Sequence, residues 1–287
     1  LTLDSSSTLA GGNTATVGAD GSWSIAVVAA DITSMGEGAE VITAKQVDVA
    51  GNISVNSAAS TLTVDTQAPS APTVTLGAGV SDGTTDAEAT ATGGIIKVAG
   101  ENGATIVATL TGQSGSVSKT VTGTGSADAV VLTTADVDTL GEGAVSASVL
   151  QTDAAGNAQT AAAASANLSI DTVIEAPTIG AIATDNTANA AEATAGFNIT
   201  GTGEVGATVT LTLDSGKTLA GGNTGTVGTD GAWSIAVANA DVIELGEGAE
   251  AITAKQVDVA GNESDASDAS ILTVDTAVPT AATVGLG

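Results

Sequence analysis

The sequence predicts an all-β protein built as an elongated rod of tandem seven-strand Greek-key β-sandwiches. One observation is a repeated phrase, which reads MGEGAEVITAKQVDVAGN at 35–52, LGEGAVSASVLQTDAAGN at 140–157 and LGEGAEAITAKQVDVAGN at 245–262. Another is that each repeat contains short alternating or β-branched runs separated by Gly, Asn and Asp, which is the pattern of short strands and turns.

The spacing of the repeats sets the expected domain organisation. Each phrase is followed by an Asp-Thr pair, beginning at Asp65, Asp171 and Asp275, so the periods are 106 and 104 residues. A period of about 100 residues fits an array of separate domains better than a solenoid. The expected units are a partial domain at 1–66 without its N-terminal strands, domains at 67–172 and 173–276, and the start of a further repeat at 277–287.

The third copy is complete and serves as the template for the elements. Its seven predicted strands are Pro177–Ile179, Phe197–Gly201, Thr208–Leu213, Gly225–Gly228, Trp233–Val237, Ala251–Val259 and Ile271–Asp275. The Asp230-Gly231 pair predicts a hairpin between the fourth and fifth strands, and Asn239–Leu245 is the one segment with a weak helical pattern. Seven short strands in a repeat of this length indicate an immunoglobulin-like sandwich. Trp23 and Trp233 are expected in the cores.

The composition excludes several classes of function. There are 32 acidic residues against 5 basic ones, a net charge of −27, so a nucleic-acid partner or an anionic membrane surface is not expected. Cysteine and histidine are absent, which removes disulfides, thiolate metal sites and the commonest general base. No catalytic constellation is found, and we expect no enzyme. No apolar run is long enough to span a bilayer.

The order of motifs carries a family resemblance over the whole chain. Asp-Gly-x-Trp-Ser, Gly-Glu-Gly, Asp-x-Ala-Gly-Asn and Val-Asp-Thr-x-x-Pro follow one another, and this combination resembles the bacterial Ig-like tandem repeats of giant cell-surface adhesins, including biofilm-associated and RTX-type adhesins. The resemblance implies secreted extender domains at the bacterial cell surface that commonly bind calcium at or near their junctions.

Calcium is therefore the expected cofactor, at the pole of each domain that faces the preceding one. Seven-strand topology brings the entry linker and the loops after strands two, four and six to this leading pole, and their carboxylate and amide oxygens suit a hard cation with about 6–8 oxygen ligands. The candidate ligands are Asp171, Glu204, Asp258 and Asn262 for the third copy, Asp65, Glu101, Asp153 and Asn157 for the second, Asp48 and Asn52 in the first, and Asp275 after the third.

Other interpretations of the same residues stay open. Asp-x-Ala-Gly-Asn also suits a plain turn, because Asp and Asn bond to their own backbone. Glu37, Glu142 and Glu247 of the Gly-Glu-Gly motifs fit solvated loop positions better than ligands. The acidic stretch from Asp82 to Glu88 has a spacing similar to a calcium loop, but the third copy does not keep it.

The predicted function is that of a stalk segment in a large secreted adhesin that supports cell adhesion and biofilm formation. The expected partners are neighbouring repeats of the same chain, and a host or abiotic surface reached through other domains. The alternatives are a repeat that itself binds a glycan or ice, and self-assembly into a surface fibre or layer.

Overall fold

The computed structural model describes residues 1–161 and 163–284, which form short strands and a few one- or two-turn helices. The strands are β1 (Thr2–Leu3), β2 (Gly38–Thr43), β3 (Ser60–Val64), β4 (Thr73–Leu76), β5 (Ile96–Ala99), β6 (Thr105–Thr111), β7 (Ser116–Thr122), β8 (Asp128–Val130), β9 (Gly143–Thr152), β10 (Ala164–Ile170), β11 (Thr178–Ile179), β12 (Thr187–Asn189), β13 (Phe197–Thr202), β14 (Thr208–Leu213), β15 (Thr224–Thr226), β16 (Ala232–Val237), β17 (Gly248–Val257) and β18 (Ser270–Asp275). The helices are α1 (Ala29–Met35), α2 (Asp86–Ala89), α3 (Thr134–Leu140), α4 (Ala190–Ala195) and α5 (Asn239–Leu245).

The third copy is a sandwich of two sheets. One has the order β11-β13-β16 and the other β12-β18-β17-β14-β15. Inward residues of both sheets, such as Ile199 and Trp233 from the first and Leu211 and Leu272 from the second, belong to one buried cluster. The polar and small residues between them point outward, as the period-2 pattern predicts.

The second copy repeats this arrangement with sheets β4-β5-β8 and β10-β9-β6-β7. Its core contains Ile, Leu, Val and Ala and no aromatic residue. The prediction of an all-β chain is confirmed, and the second and third copies are two-sheet sandwiches.

The first copy keeps a single sheet, β1-β2-β3. The strands that cover Trp233 in the third copy have no counterpart in residues 1–66, and Trp23 is 49% exposed whereas Trp233 is 2% exposed. The prediction of a core tryptophan is therefore confirmed for Trp233 and wrong for Trp23.

The predicted hairpin around Asp230-Gly231 is wrong. The turn is present, since the Gly228 N–H donates to the Ala232 carbonyl at 2.8 Å, but β15 pairs with β14 and β16 pairs with β13. The chain thus crosses from one sheet to the other at this turn. Apolar residues alternate in the strands on both sides of the turn, and this pattern is the same whether the two strands pair as a hairpin or belong to opposite sheets.

Two elements of the third copy were not predicted, β12 and α4, so the copy has eight strands. β12 runs parallel to β18, and α4 begins at Asn189, whose side chain accepts from the N–H groups of Ala191 and Glu192. The six-residue helix is too short to show a periodic apolar pattern. The predicted turn of helix at Asn239–Leu245 is confirmed as α5.

The expected further repeat after the third copy contains no regular element in its described part. Residues 277–284 contain no strand, and 285–287 of the expected further repeat lie outside the described residues. Within the described part of the chain, no helix has the length and apolar character needed to cross a membrane.

Candidate metal centre

Three carboxylates meet where the second and third copies join. Asp171 lies in the linker after β10, Glu204 in the loop between β13 and β14, and Asp258 directly after β17. One oxygen of each lies within 4.8 Å of the others, and among residues 1–161 and 163–284 this is the one acidic group that meets that spacing. We call this place the second joint; the first joint is its counterpart between the first and second copies.

The turn after β17 holds Asp258 in place. Its Oδ1 accepts from the N–H groups of Gly261 at 2.6 Å and Asn262 at 2.8 Å. Gly261 has φ +104°, a conformation that glycine adopts without a Cβ penalty. The Asp-x-Ala-Gly-Asn motif therefore forms the plain turn considered above, and the same turn directs Asp258, which is 7% exposed, toward the joint.

Asn262 connects this turn to the linker. Its Nδ2 donates to the Asp171 carbonyl at 2.8 Å and to Asp258 Oδ2 at 2.9 Å. The amide nitrogen thus bridges the two copies and positions two of the three carboxylates. In this arrangement Asn262 orients the acidic groups, and its nitrogen rather than its oxygen faces them.

The preceding copy fixes the linker from the other side. The Asp171 N–H donates to the Thr84 carbonyl at 3.0 Å. Glu142 of the Gly-Glu-Gly motif accepts from the Thr172 N–H at 3.1 Å and from the Thr172 hydroxyl. Glu37 and Glu247 bind Thr66 and Thr276 in the same way. These three exposed glutamates therefore brace the Asp-Thr linkers.

A buried glutamine positions Glu204. Gln256 is 2% exposed; its Oε1 accepts from the Glu204 N–H at 3.0 Å and its Nε2 donates to the Glu175 carbonyl at 2.8 Å. Gln151 does the same in the second copy, with Glu101 and Ser70. The sequence reasoning missed these residues. A signal was present, because glutamine recurs at the same position of the repeated phrase, at Gln46, Gln151 and Gln256.

The charges of the second joint repel one another. Burial, with the nearby charges of Asp258 and Glu142, raises the pKa of Asp171. Burial, with the charges of Asp258 and Asp171, raises the pKa of Glu204. The ion pairs in the described part of the chain, Lys119–Asp136 and Lys255–Glu263, lie outside this group. The centre is therefore a set of like charges with no cationic side chain bound to it.

The first joint shares the hydrogen bonds of the second but not its cluster. Asn157 Nδ2 donates to the Asp65 carbonyl at 3.1 Å and to Asp153 Oδ2 at 2.8 Å. Asp65, Glu101 and Asp153 are not among the described acidic groups that meet the 4.8 Å spacing. The bond from Asn157 lowers the pKa of Asp153.

The remaining candidates have no partner copy beside them in the described chain. Asn52 donates to Asp48 within its own turn at 2.7 Å, a bond that lowers the pKa of Asp48. Asp275 ends β18, where the described residues contain no following turn. In the acidic stretch, Glu88 accepts from Thr85 at the start of α2, so it caps that helix.

Comparisons with known proteins find bacterial Ig-like domains. Residues 176–273 match the family model of the bacterial Ig domain, and no curated protein matches the chain. A bacterial immunoglobulin-like domain from the M. primoryensis ice-binding adhesin is 31% identical over 36% of this chain and 98% of that chain, with a TM-score of 0.27.

Two larger structures are also similar. A Ca²⁺-stabilized adhesin that helps an Antarctic bacterium bind ice is 29% identical over 90% of this chain and 61% of that chain, with a TM-score of 0.39. A tetra-tandem repeat from the extending region of a large adhesion protein is 27% identical over 92% of this chain and 65% of that chain, with a TM-score of 0.33. The family match places residues 176–273 in the bacterial Ig-domain family.

Proposed function

We propose that this chain is a stalk segment of a large secreted bacterial surface adhesin, in which calcium stiffens the joints between successive repeats. The observation that carries the proposal is the second joint, where carboxylates from the linker and from the following copy come within 4.8 Å of one another. The repeats of the stalk are proposed to be 67–172 and 173–276, preceded by the partial copy 1–66.

The donor set fits calcium. Ca²⁺ binds oxygen ligands at about 2.3–2.6 Å, so two oxygens on one ion lie up to about 5 Å apart. Asp171, Glu204 and Asp258 offer only oxygen, and the joint has no nitrogen or sulfur ligand of the kind that zinc prefers. We propose these three carboxylates as the ligands, with Asn262 and Gln256 as the residues that position them.

The bound ion would supply positive charge where the fold has placed three negative ones. Because Asp171 is held by the second copy, through Thr84 and Thr172, and Asp258 by the third, neutralising their repulsion couples the two copies directly. A stiff joint transmits the orientation of one repeat to the next. A series of such joints keeps a terminal binding domain away from the cell, in an extracellular medium that is rich in calcium.

A melting experiment tests the proposal. Trp233 fluorescence reports the third copy, and Trp23→Phe removes the exposed second tryptophan. We expect millimolar calcium to raise the melting temperature of the third copy, relative to chelator, and Asp171→Asn to reduce the increase. Glu244→Gln, an exposed acid of α5, serves as the charge-matched control. Equal melting temperatures with calcium and with chelator would contradict the calcium site.

Direct ligand binding is the second candidate, and one surface favours it. The outward face of β6 and β7 presents hydroxyl groups, with Thr105, Thr120 and Thr122 exposed and Thr109 bonded to Ser118 at 3.1 Å. An uncharged face is unusual on a chain of net charge −27. Retention on a glycan array or in ice-affinity capture, lost on Thr120→Glu, would support binding by this face; no retention would leave the stalk as the function.

A further inference from the structure

The two copies touch at a glycine on the side of the second copy that faces the third. Gly83 precedes α2, is buried and has φ +114°. A methyl group placed on its Cα would lie 3.0 Å from the Cβ of Ala260 and 3.1 Å from the Cβ of Asp171. Both distances are shorter than the roughly 3.5–4.0 Å of an unstrained carbon contact. A side chain at position 83 would therefore require Ala260 or Asp171 to shift by a few tenths of an ångström.

The third copy does not keep this glycine. Thr84 bridges to Ile170 in parallel, just as Ala188 pairs with Val274 in parallel, and Thr85 and Asn189 both begin the following helix. These matches place Thr187 at the position of Gly83. The two kinds of copy therefore present different surfaces to whatever repeat comes next.

We propose that the residue at this position sets how closely the following repeat packs against the preceding one, so that the stalk contains two kinds of joint. A copy with Gly83 accepts the Ala-Gly-Asn turn of the next repeat in close contact. A copy with threonine there, such as the third, holds the same turn further away. The partner of the surface is the next repeat of the same chain, since both copies that follow a joint carry alanine at this point of the turn, Ala155 and Ala260.

The Gly83 contact lies at the joint where the acidic groups converge. Asp171, one of the two residues nearest Gly83, is also one of the three carboxylates that lie within 4.8 Å of one another. The inference extends the proposed stalk function, but the contact itself does not require calcium.

Distance measurements between two spin labels test the proposal in the full chain. The chain has no cysteine, so Thr120→Cys and Thr212→Cys, both at exposed strand positions, place one label on each copy. Gly83→Ala requires the contacting carbons to separate by a few tenths of an ångström, and Gly83→Thr by more. We expect a broader and longer distance distribution for Gly83→Thr than for the parent, with Gly83→Ala between them.

Two further variants distinguish a steric effect on the contact between the copies from strain in the backbone at a glycine of positive φ. Gly125→Ala is the matched control, because Gly125 also has positive φ and lies in the second copy, but a Cβ there meets only Asn102 at an ordinary 3.8 Å. It should keep the parent distribution. Adding Ala260→Gly to Gly83→Ala should move the distribution back toward the parent. An unchanged distribution in folded Gly83→Thr, or equal broadening in Gly125→Ala, would overturn the proposal.

Recording each distribution in calcium and in chelator keeps this inference distinct from the calcium site. If calcium leaves the parent's distance distribution unchanged while Gly83→Thr broadens the distribution, the proposed role of Gly83 is supported and the calcium site is contradicted. If calcium narrows the parent's distance distribution and Gly83→Thr changes the distribution in neither condition, the calcium site is supported and the proposed role of Gly83 is contradicted.

Discussion

Replacing Gln256 with leucine should destabilise the third copy, because two backbone groups at the joint would lose their hydrogen-bond partner. The Gln256 amide accepts from the Glu204 N–H at 3.0 Å and donates to the Glu175 carbonyl at 2.8 Å, 81 residues away in sequence. Leaving a buried donor or acceptor unpaired costs about 1–3 kcal/mol. Because Glu204 and Glu175 are both exposed residues, water can partly replace the lost bonds, and we expect a loss of about 1–2 kcal/mol.

Urea unfolding followed by Trp233 fluorescence measures this loss, in a Trp23→Phe background. With an m value of about 2 kcal/mol per molar, the midpoint of the third copy should fall by about 0.5–1 M. The matched control is Gln46→Leu, the counterpart in the first copy, where the side chain is exposed; it should leave the Trp233 midpoint unchanged. A midpoint shift for Gln256→Leu no larger than that of the control would refute a stabilising role for the hydrogen bonds of Gln256 to Glu204 and Glu175.

Three other predictions follow from the joint and from the core of the second copy. Calcium at 100 times its dissociation constant should stabilise the third copy by about 2.7 kcal/mol; Glu204→Gln should lose most of this gain and Glu244→Gln none, as read from urea midpoints. In chelator, the unfolding free energy of the third copy should rise as the pH falls from about 7 to about 5. The raised pKa values of Asp171 and Glu204 mean that the folded state binds more protons than the unfolded state in this window; Asp171→Asn should flatten the dependence, and a rise of stability with pH would contradict it. Thr84 is fully buried and its hydroxyl has no hydrogen-bond partner among the described residues, so Thr84→Val should stabilise the second copy by about 1 kcal/mol. Calorimetry should show no such gain for Thr120→Val, at an exposed position.

The strand order could not be read from the sequence although most strands could. Alternating runs such as Thr208–Leu213 predict a strand and its inward face, and β14 has these bounds. The same alternation does not say which sheet a strand joins, because both sheets of a sandwich turn apolar residues toward one core. The chain crosses between sheets at Asp230-Gly231 for this reason, where a hairpin was expected.

The candidate site was predictable in its residue types and only partly in its geometry. Asp171, Glu204 and Asp258 come together as the loop positions of a sandwich require. Their counterparts Asp65, Glu101 and Asp153 have the same identities but do not meet the 4.8 Å spacing in the described chain, so residue identity alone does not predict convergence. The proximity of Gly83 to Ala260 likewise cannot be predicted from the sequence, because the two residues belong to different copies.

Burial of the two tryptophans could not be predicted from their local sequences either. The local sequences around Trp23 and Trp233 are nearly the same, Asp-Gly-Ser-Trp-Ser-Ile and Asp-Gly-Ala-Trp-Ser-Ile. Burial of Trp233 comes from β13, where its ring lies against Gly201 and its Nε1 donates to the Thr202 carbonyl at 3.2 Å. Neither the strand nor the burial follows from local sequence alone, since residues 22–28 contain no strand whereas the matching segment forms β16 beside β13.

Anomalous scattering from a crystal of the chain grown with calcium tests the proposed metal centre most directly. A calcium-sized anomalous peak among the carboxylates of Asp171, Glu204 and Asp258, at about 2.3–2.6 Å from their oxygens, is the expected result. A well-ordered second joint without such a peak in saturating calcium, or a peak that stays in place in Glu204→Gln with unchanged occupancy, would contradict the assignment of these three residues as ligands.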